Sequence, residues 1–298
     1  MNGIIMLSNP VSSFSMNNYP IAHKIPRSTV VHDTTLHDDY YWLRERENPA
    51  VHAYLAAENA YVEQHLSPQL RTALVHELQD RVIPDEQGPP YPIGDFHYYF
   101  QYQADQQYPA LMRRPSHGDA TPQLVCDLAR EANGTTFFKL GEWAVSPNGQ
   151  YIALLFDYNG SERFRLHIRR IADGTDLIDP VPDLYYGLAW SHDGQTLAFV
   201  RPDEAWRPSS VWRWTWQHPL AQAECLFHEP NELFNVGLDI SGDQRTFVVT
   251  SQSSSTSEVW LFDTANQAPA ACVATRTAGI KYTIALRGDT VFMRTNAD

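Results

Sequence analysis

The residues best equipped for chemistry in this chain are crowded into one stretch, HDTTLHDDYYWLRERE, which begins at His32. His32, Asp33, His37, Asp38 and Asp39 supply imidazole and carboxylate groups of the kind that hold zinc. A closed site needs a further ligand from elsewhere, and no distant His or Cys is marked out as one. Charged residues around an aromatic run also serve as caps and ion pairs at a packing surface. That role is expected here, with no metal and no cofactor. Tyr40, Tyr41 and Trp42 follow, with Arg44 beside them. Large aromatics next to an arginine anchor buried contacts. Asp39, Tyr40, Tyr41, Trp42 and Arg44 therefore either form a local core under the helices that follow or pack against a second domain.

Catalytic motifs are absent elsewhere. The sequence holds no G-x-S-x-G elbow, no P-loop, no G-x-G-x-x-G, no H-E-x-x-H and no EF-hand loop. The aromatic string WRWTW, starting at Trp212, has the alternation of a strand with one buried face rather than of a base-stacking platform. Arg287-Gly288-Asp289 reads as a hairpin turn, and the sequon at Asn133 as a turn as well. A formal charge of −13, from 22 Lys+Arg against 35 Asp+Glu, repels a phosphate backbone and offers no polybasic membrane patch. Neither nucleic acid nor membrane is expected as a partner. Cys126, Cys225 and Cys272 are odd in number and lie in or beside apolar runs, which fits reduced core thiols. The first twenty residues lack a basic leader and an unbroken apolar span, so a cytoplasmic protein is expected; Met6 and Met16 leave the starting methionine open.

The elements that must position these residues fall into two groups. Residues 1–88 read as an extension followed by a helical hairpin. Asn48 caps a first helix with Pro49 at its first position, and that helix ends about Leu66. Ser67-Pro68 starts a second, with Leu70, Leu74, Leu78 and Val82 in an apolar stripe. Residues 89–298 change period. SPNG at Ser146, SHDG at Ser191 and SGDQ at Ser241 recur in one frame. Each follows an apolar strand and precedes a stronger one, then an alternating third strand and a short fourth, around Leu177, Leu226 and Val273. In the first of these alternating strands Phe164, Leu166 and Ile168 are expected to face one way and Arg163, Arg165, His167 and Arg169 the other.

Four strands in each unit of about 45–50 residues are the pattern of a β-propeller blade. The stretch from Tyr91 to Asp127 fits the same template, and Tyr282 to Arg294 fits its first half. The fold class is thus all-β, a propeller of four blades and part of a fifth, preceded by an α-helical hairpin. A blade buries both faces against neighbours, so an unfinished fifth unit leads us to expect that these residues are part of a longer chain.

The run HDTTLHDDYYWLRERENPAVHAYLAAENAY resembles the amino-terminal segment of oligopeptidase B, in the prolyl oligopeptidase family of serine peptidases. GDFHYYFQYQADQQYPALMRR, WAVSPNGQYIAL, LAWSHDGQTLAFVRPDEAWRPSSVWRW, SSSTSEVWLFD and the terminal RTNAD resemble the same subfamily in order. The resemblance implies a seven-bladed propeller that filters substrates by size, followed in the full protein by an α/β-hydrolase domain. It implies cleavage of oligopeptides after Arg or Lys by a Ser-His-Asp triad, with that catalytic domain as the propeller's partner. No position here matches the triad, so no catalytic residue is assigned, and the chain by itself is expected to be inactive. Two other readings stay open. One is a stand-alone binding or scaffold module; the other is a propeller enzyme with its site in the central funnel.

Overall fold

The computed structural model describes residues 19–104, 106–118, 120–265 and 270–297. The reading of the leader and starting methionine concerns residues outside these. The chain divides into two compact units between Ile83 and Pro84.

In the N-terminal unit, β1 (Arg27–Val31) and β2 (Thr34–Asp38) pair antiparallel with Val31 opposite Thr34. The two residues between them, His32 and Asp33, have φ of 46° and 62°. Both lie in the left-handed region that a two-residue hairpin turn requires, and a short polar side chain such as Asp tolerates it. A single 3₁₀ turn, Tyr41–Arg44, leads to α1 (Pro49–His65) and α2 (Pro68–Asp80). The caps are those the sequence specifies. Asn48 Oδ1 accepts the Ala50 N–H at 2.9 Å, and Ser67 Oγ accepts the Leu70 N–H at 3.2 Å; each satisfies an amide the helix cannot. Among the described residues the stripe on α2 finds no core: Leu70, Leu74 and Leu78 are exposed, and Val82 lies beyond the helix end. Periodicity marks the apolar face but not what covers it.

The second unit contains four antiparallel four-stranded sheets and one two-stranded sheet, each strand pairing with the next in sequence. The first is β3 (Tyr91–Ile93), β4 (Phe96–Gln101), β5 (Ala110–Pro115) and β6 (Gln123–Asp127). A short helix, α3 (Leu128–Ala132), leads to β7 (Lys139–Val145), β8 (Tyr151–Asp157), β9 (Phe164–Arg170) and β10 (Val181–Leu184). The third sheet is β11 (Leu188–Trp190), β12 (Thr196–Pro202), β13 (Pro208–Thr215) and β14 (Glu224–His228). The fourth is β15 (Asn235–Ile240), β16 (Thr246–Gln252), β17 (Ser257–Asp263) and β18 (Ala271–Ala274), followed by β19 (Tyr282–Arg287) and β20 (Thr290–Thr295). This is a β-propeller of four blades and the first two strands of a fifth.

The repeated turn is one structure built three times. Ser146, Ser191 and Ser241 each accept the N–H five residues ahead, at 3.0, 2.9 and 2.9 Å. Each hydroxyl donates to the carboxylate or amide oxygen two residues on, Asn148, Asp193 or Asp243. A buried serine that spends its donor and its acceptor this way closes the hairpin at little cost.

Between blades the sheets pack face to face. Tyr98, Leu111, Ile152, Leu154 and Phe156 fill the seam of blades one and two. Leu155, Phe164, Leu166, Trp190, Leu197 and Phe199 fill the next seam, and Ala198, Val211, Val236, Phe247 and Val249 the third. Successive residues of β8 thus enter opposite seams, and both are dry. Close approach selects glycine at two points. A Cβ on Gly141 would stand 2.3 Å from the Phe164 ring, and one on Gly187, at φ 125°, would stand 2.5 Å from Val200.

One detail differs from the sequence reading. The fourth strand of blade two lies at Val181–Leu184 and not around Leu177, which makes one backbone bond to Ile168 before the chain leaves the sheet. Pro180 and Pro182 lack the N–H a ladder needs, and the register shifts between Val181 and Leu184. His167 and Arg169 are buried, because the face opposite Phe164 is covered there by blade one.

Candidate functional site

The five aromatic and charged residues singled out above gather around the 3₁₀ turn. Trp42 is 5% exposed; its Nε1–H donates to the His23 carbonyl at 3.0 Å and its ring stacks on the His23 imidazole at 4.2 Å. Tyr41 lies between two guanidiniums, with Arg27 3.4 Å and Arg44 4.7 Å from its ring centre. Arg44 also donates to the Tyr41 hydroxyl. Asp39 pairs with Lys24 at 3.4 Å, and its carbonyl accepts the Ile25 N–H. Tyr40 remains exposed, and its N–H bonds to Asp38. Cation–π contacts at such partly exposed sites contribute about 0.5–1 kcal/mol each, so Trp42 is the anchor and the rest orient it. Lys24 and His23, which complete the cluster, carried no signal in the sequence; they arrive by the chain folding back along β2.

The metal alternative does not assemble. His32 and Asp33 occupy the hairpin turn, His37 Nδ1 bonds to Ser28 Oγ at 2.9 Å, and Asp38 and Asp39 are engaged as described. Among the described residues no three His, Cys, Asp or Glu side chains lie close enough to hold an ion.

The propeller's own polar chemistry sits in the seams. Arg169 on β9 makes two-point contacts to Glu131 of α3, at 2.7 and 3.0 Å, and to Asp176, at 2.7 and 3.3 Å. Burial would lower its pKa, but the bonds to these carboxylates carry it upward. Beside it the Cys126 thiol is pushed up to about 12, chiefly by burial. That thiol is a core group and not a nucleophile. Glu142 on β7 accepts the N–H groups of Gly187 at 2.6 Å and Leu188 at 3.0 Å, the amides where blade three begins. Burial raises its pKa against those two bonds, and Asp239 raises it further. At the third seam the buried Glu229 accepts Arg276 at 2.6 Å and the Ser251 hydroxyl at 2.5 Å. Arg276 also donates to Glu258 and covers the Phe234 ring at 4.2 Å. The tyrosine that opens the fifth unit, Tyr282, places its hydroxyl between the Val259 N–H and the Ala274 carbonyl.

These groups hold blades in register, the arginines against carboxylates and Glu142 and Tyr282 against backbone groups. A glutamate in the apolar run KLGEWAV was the one visible hint; the partners of Arg169 and Arg276 lie up to 47 residues away, beyond any local pattern. No helix among the described residues is long and apolar enough to cross a membrane.

Residues 19–298 match the family described as prolyl oligopeptidase, N-terminal β-propeller domain. Protease 2 of Moraxella lacunata is 30% identical over 287 residues, 93% of this chain and 42% of that protein. Dipeptidyl aminopeptidase BI of Pseudoxanthomonas mexicana is 27% identical over 99% of this chain and 44% of its own length. Among solved structures, oligopeptidase B from Trypanosoma brucei, with covalently bound antipain in a closed form, superposes with a TM-score of 0.84. The two are 26% identical over 94% of this chain and 43% of that one. The chain spans less than half the length of these relatives. It belongs to the prolyl oligopeptidase family, and what it spans is that family's N-terminal β-propeller domain.

Proposed function

We propose that this chain is the substrate-gating propeller of an oligopeptidase B-like serine endopeptidase that cleaves oligopeptides after Arg or Lys. The observation that carries the reading is the likeness to the T. brucei oligopeptidase B chain along 94% of this sequence. The nucleophile, base and orienting carboxylate belong to a catalytic domain that partners the propeller, since the chain has no nucleophile elbow. The propeller's part is steric: seams sealed by Trp190, Phe199 and Phe247 and clamped by buried ion pairs make a rigid wall. Tyr40 and Arg44, with the exposed leucines of α2, present the surface that packs on the catalytic domain, and Asp39, Tyr41 and the buried Trp42 hold it in place from beneath. Three unpaired thiols fit a reducing cytoplasm.

The test is turnover by the protein at the length its source makes it. Blocked peptides with internal Arg or Lys should be cleaved and inhibited by serine-directed reagents, whereas the 298 residues alone should leave them intact. Cleavage confined to dipeptides released from a free amino terminus would replace this reading with a dipeptidyl aminopeptidase. A native mass of 34.0 kDa without turnover would leave a stand-alone binding module.

Trp42→Ala removes the anchor of the packing surface. It is expected to cost the full-length protein about 3–5 kcal/mol and to admit longer peptides than the parent accepts. An unchanged melting temperature together with unchanged size selectivity would remove Trp42 from that role.

A further inference from the structure

The seam between blades one and two contains a histidine whose hydrogen-bonding groups are left unused. His167 on β9 is 8% exposed, and neither ring nitrogen makes a hydrogen bond. Its Nδ1 lies 3.5 Å from Oδ1 of Asp176, an oxygen already held by Arg169 Nε at 2.7 Å. The rings of Phe156 and Tyr158 stand 5.1 and 6.5 Å from its own. The charged and titratable groups around it are Asp176 and Arg169, Glu131 from α3, Tyr158 after β8 with Arg165 beside it, and Cys126 from β6.

A second cation in this pocket has to give up its hydration. An imidazolium would be desolvated next to the Arg169 guanidinium, and the nearest carboxylate is already engaged. Moved outward, it would regain water. Asp176 can follow it, because its side chain is already 41% exposed. Burial accordingly holds His167 below the ordinary imidazole value; Asp176 pulls upward and Arg169 downward.

We propose that His167 is a proton-linked release for this seam: proton uptake expels the imidazolium toward solvent with Asp176, which leaves Arg169 and loosens the second blade from α3. The closed ring binds protons less well than a free one. The seam is therefore at full strength above about pH 6.5 and weakens as pH falls through that value toward the ring's own pKa. The release does not depend on which peptide the parent protein cleaves.

Hydrogen exchange of the protein at the length its source makes it tests the release. The amides of Ile171 and Leu177, bonded to Gln150 and Ile168, should lose about tenfold in protection per pH unit in that window, after correction for intrinsic exchange. Amides of β12 and β16 should not respond in the same window. His167→Phe, similar in size and unable to titrate, should keep seam protection at pH 5. Equal acid loss in His167→Phe would overturn the proposal. If that variant does not fold, an NMR titration of His167 in the unaltered chain decides. A ring titrating below 6.5 in step with loss of seam protection supports the release; one titrating at or above 6.5, or without change in the seam, overturns it.

Discussion

Trp190→Ala is expected to lower the folding free energy by about 3–5 kcal/mol, the range for emptying a large aromatic site in a core that cannot collapse. The residue is 2% exposed and stands in the seam of blades two and three, with Leu155, Phe164, Leu166 and Phe199 around it. Its ring meets Trp216 edge-on at 6.3 Å, and its Nε1–H crosses the seam to the Ala144 carbonyl at 3.0 Å. Two losses combine in the alanine variant: the apolar volume, and the donor to a carbonyl at a blade's inner strand. Trp190→Phe separates them. It keeps most of the volume and should cost about 0.5–1.5 kcal/mol for the lost hydrogen bond, since the Ala144 carbonyl stays within the β7–β8 ladder. Urea unfolding of both variants at matched m-values measures the difference. A loss below about 1 kcal/mol in Trp190→Ala would mean that the seam closes over the gap and that the blades are not rigidly spaced.

Arg276→Ala is expected to be as damaging at neutral pH and much less so in acid. Burial raises the pKa of Glu229, yet the bonds from Arg276 and Ser251 hold it below the usual carboxylate value. Glu258, also bonded to Arg276, is lowered against burial in the same way. A depressed carboxylate stabilises the fold above its unfolded pKa and loses that contribution as pH falls through its folded pKa. Without Arg276, burial at Glu229 is opposed only by the Ser251 hydroxyl and the Asn231 N–H. Leaving one partner of a buried pair uncompensated costs about 3–5 kcal/mol. Protonation removes the stranded charge, so the difference between variant and parent should shrink as pH falls toward and below the ordinary glutamate value of about 4.3. A difference that stays constant over that range would show that Arg276 acts by packing on Phe234 rather than by charge. Replacing Glu229 as well, by glutamine, should recover part of the loss at neutral pH.

The two variants mark how differently parts of this fold could be read. SPNG, SHDG and SGDQ are self-contained: serine, an Asn or Asp two residues on, and the amide five ahead form the turn from neighbours in sequence. Asn48-Pro49 and Ser67-Pro68 likewise set both helix starts locally. Trp42 was legible as an anchor because a Trp in a charged run rarely serves another purpose. His23, which receives it, was not, since nothing in HKIPR predicts a stacking partner.

The charged residues of β9 show where local reading fails. Alternation places Arg163, Arg165, His167 and Arg169 on one face but does not say what covers it. In a propeller a sheet's faces meet its neighbours: blade one covers His167 and Arg169, while Arg163 and Arg165 stay exposed. The same closure selects Glu131 as a counter-ion to Arg169 and Glu229 for Arg276 from distant stretches. The apolar stripe of α2 errs the other way, correctly placed on one helix face yet uncovered by the described residues. By itself, then, the sequence determined the strands, the turns and the caps, because each is decided by interactions within about six residues. Tertiary structure alone decided which faces are dry and which charges meet, because burial and ion pairing depend on neighbours that the chain brings from tens of residues away.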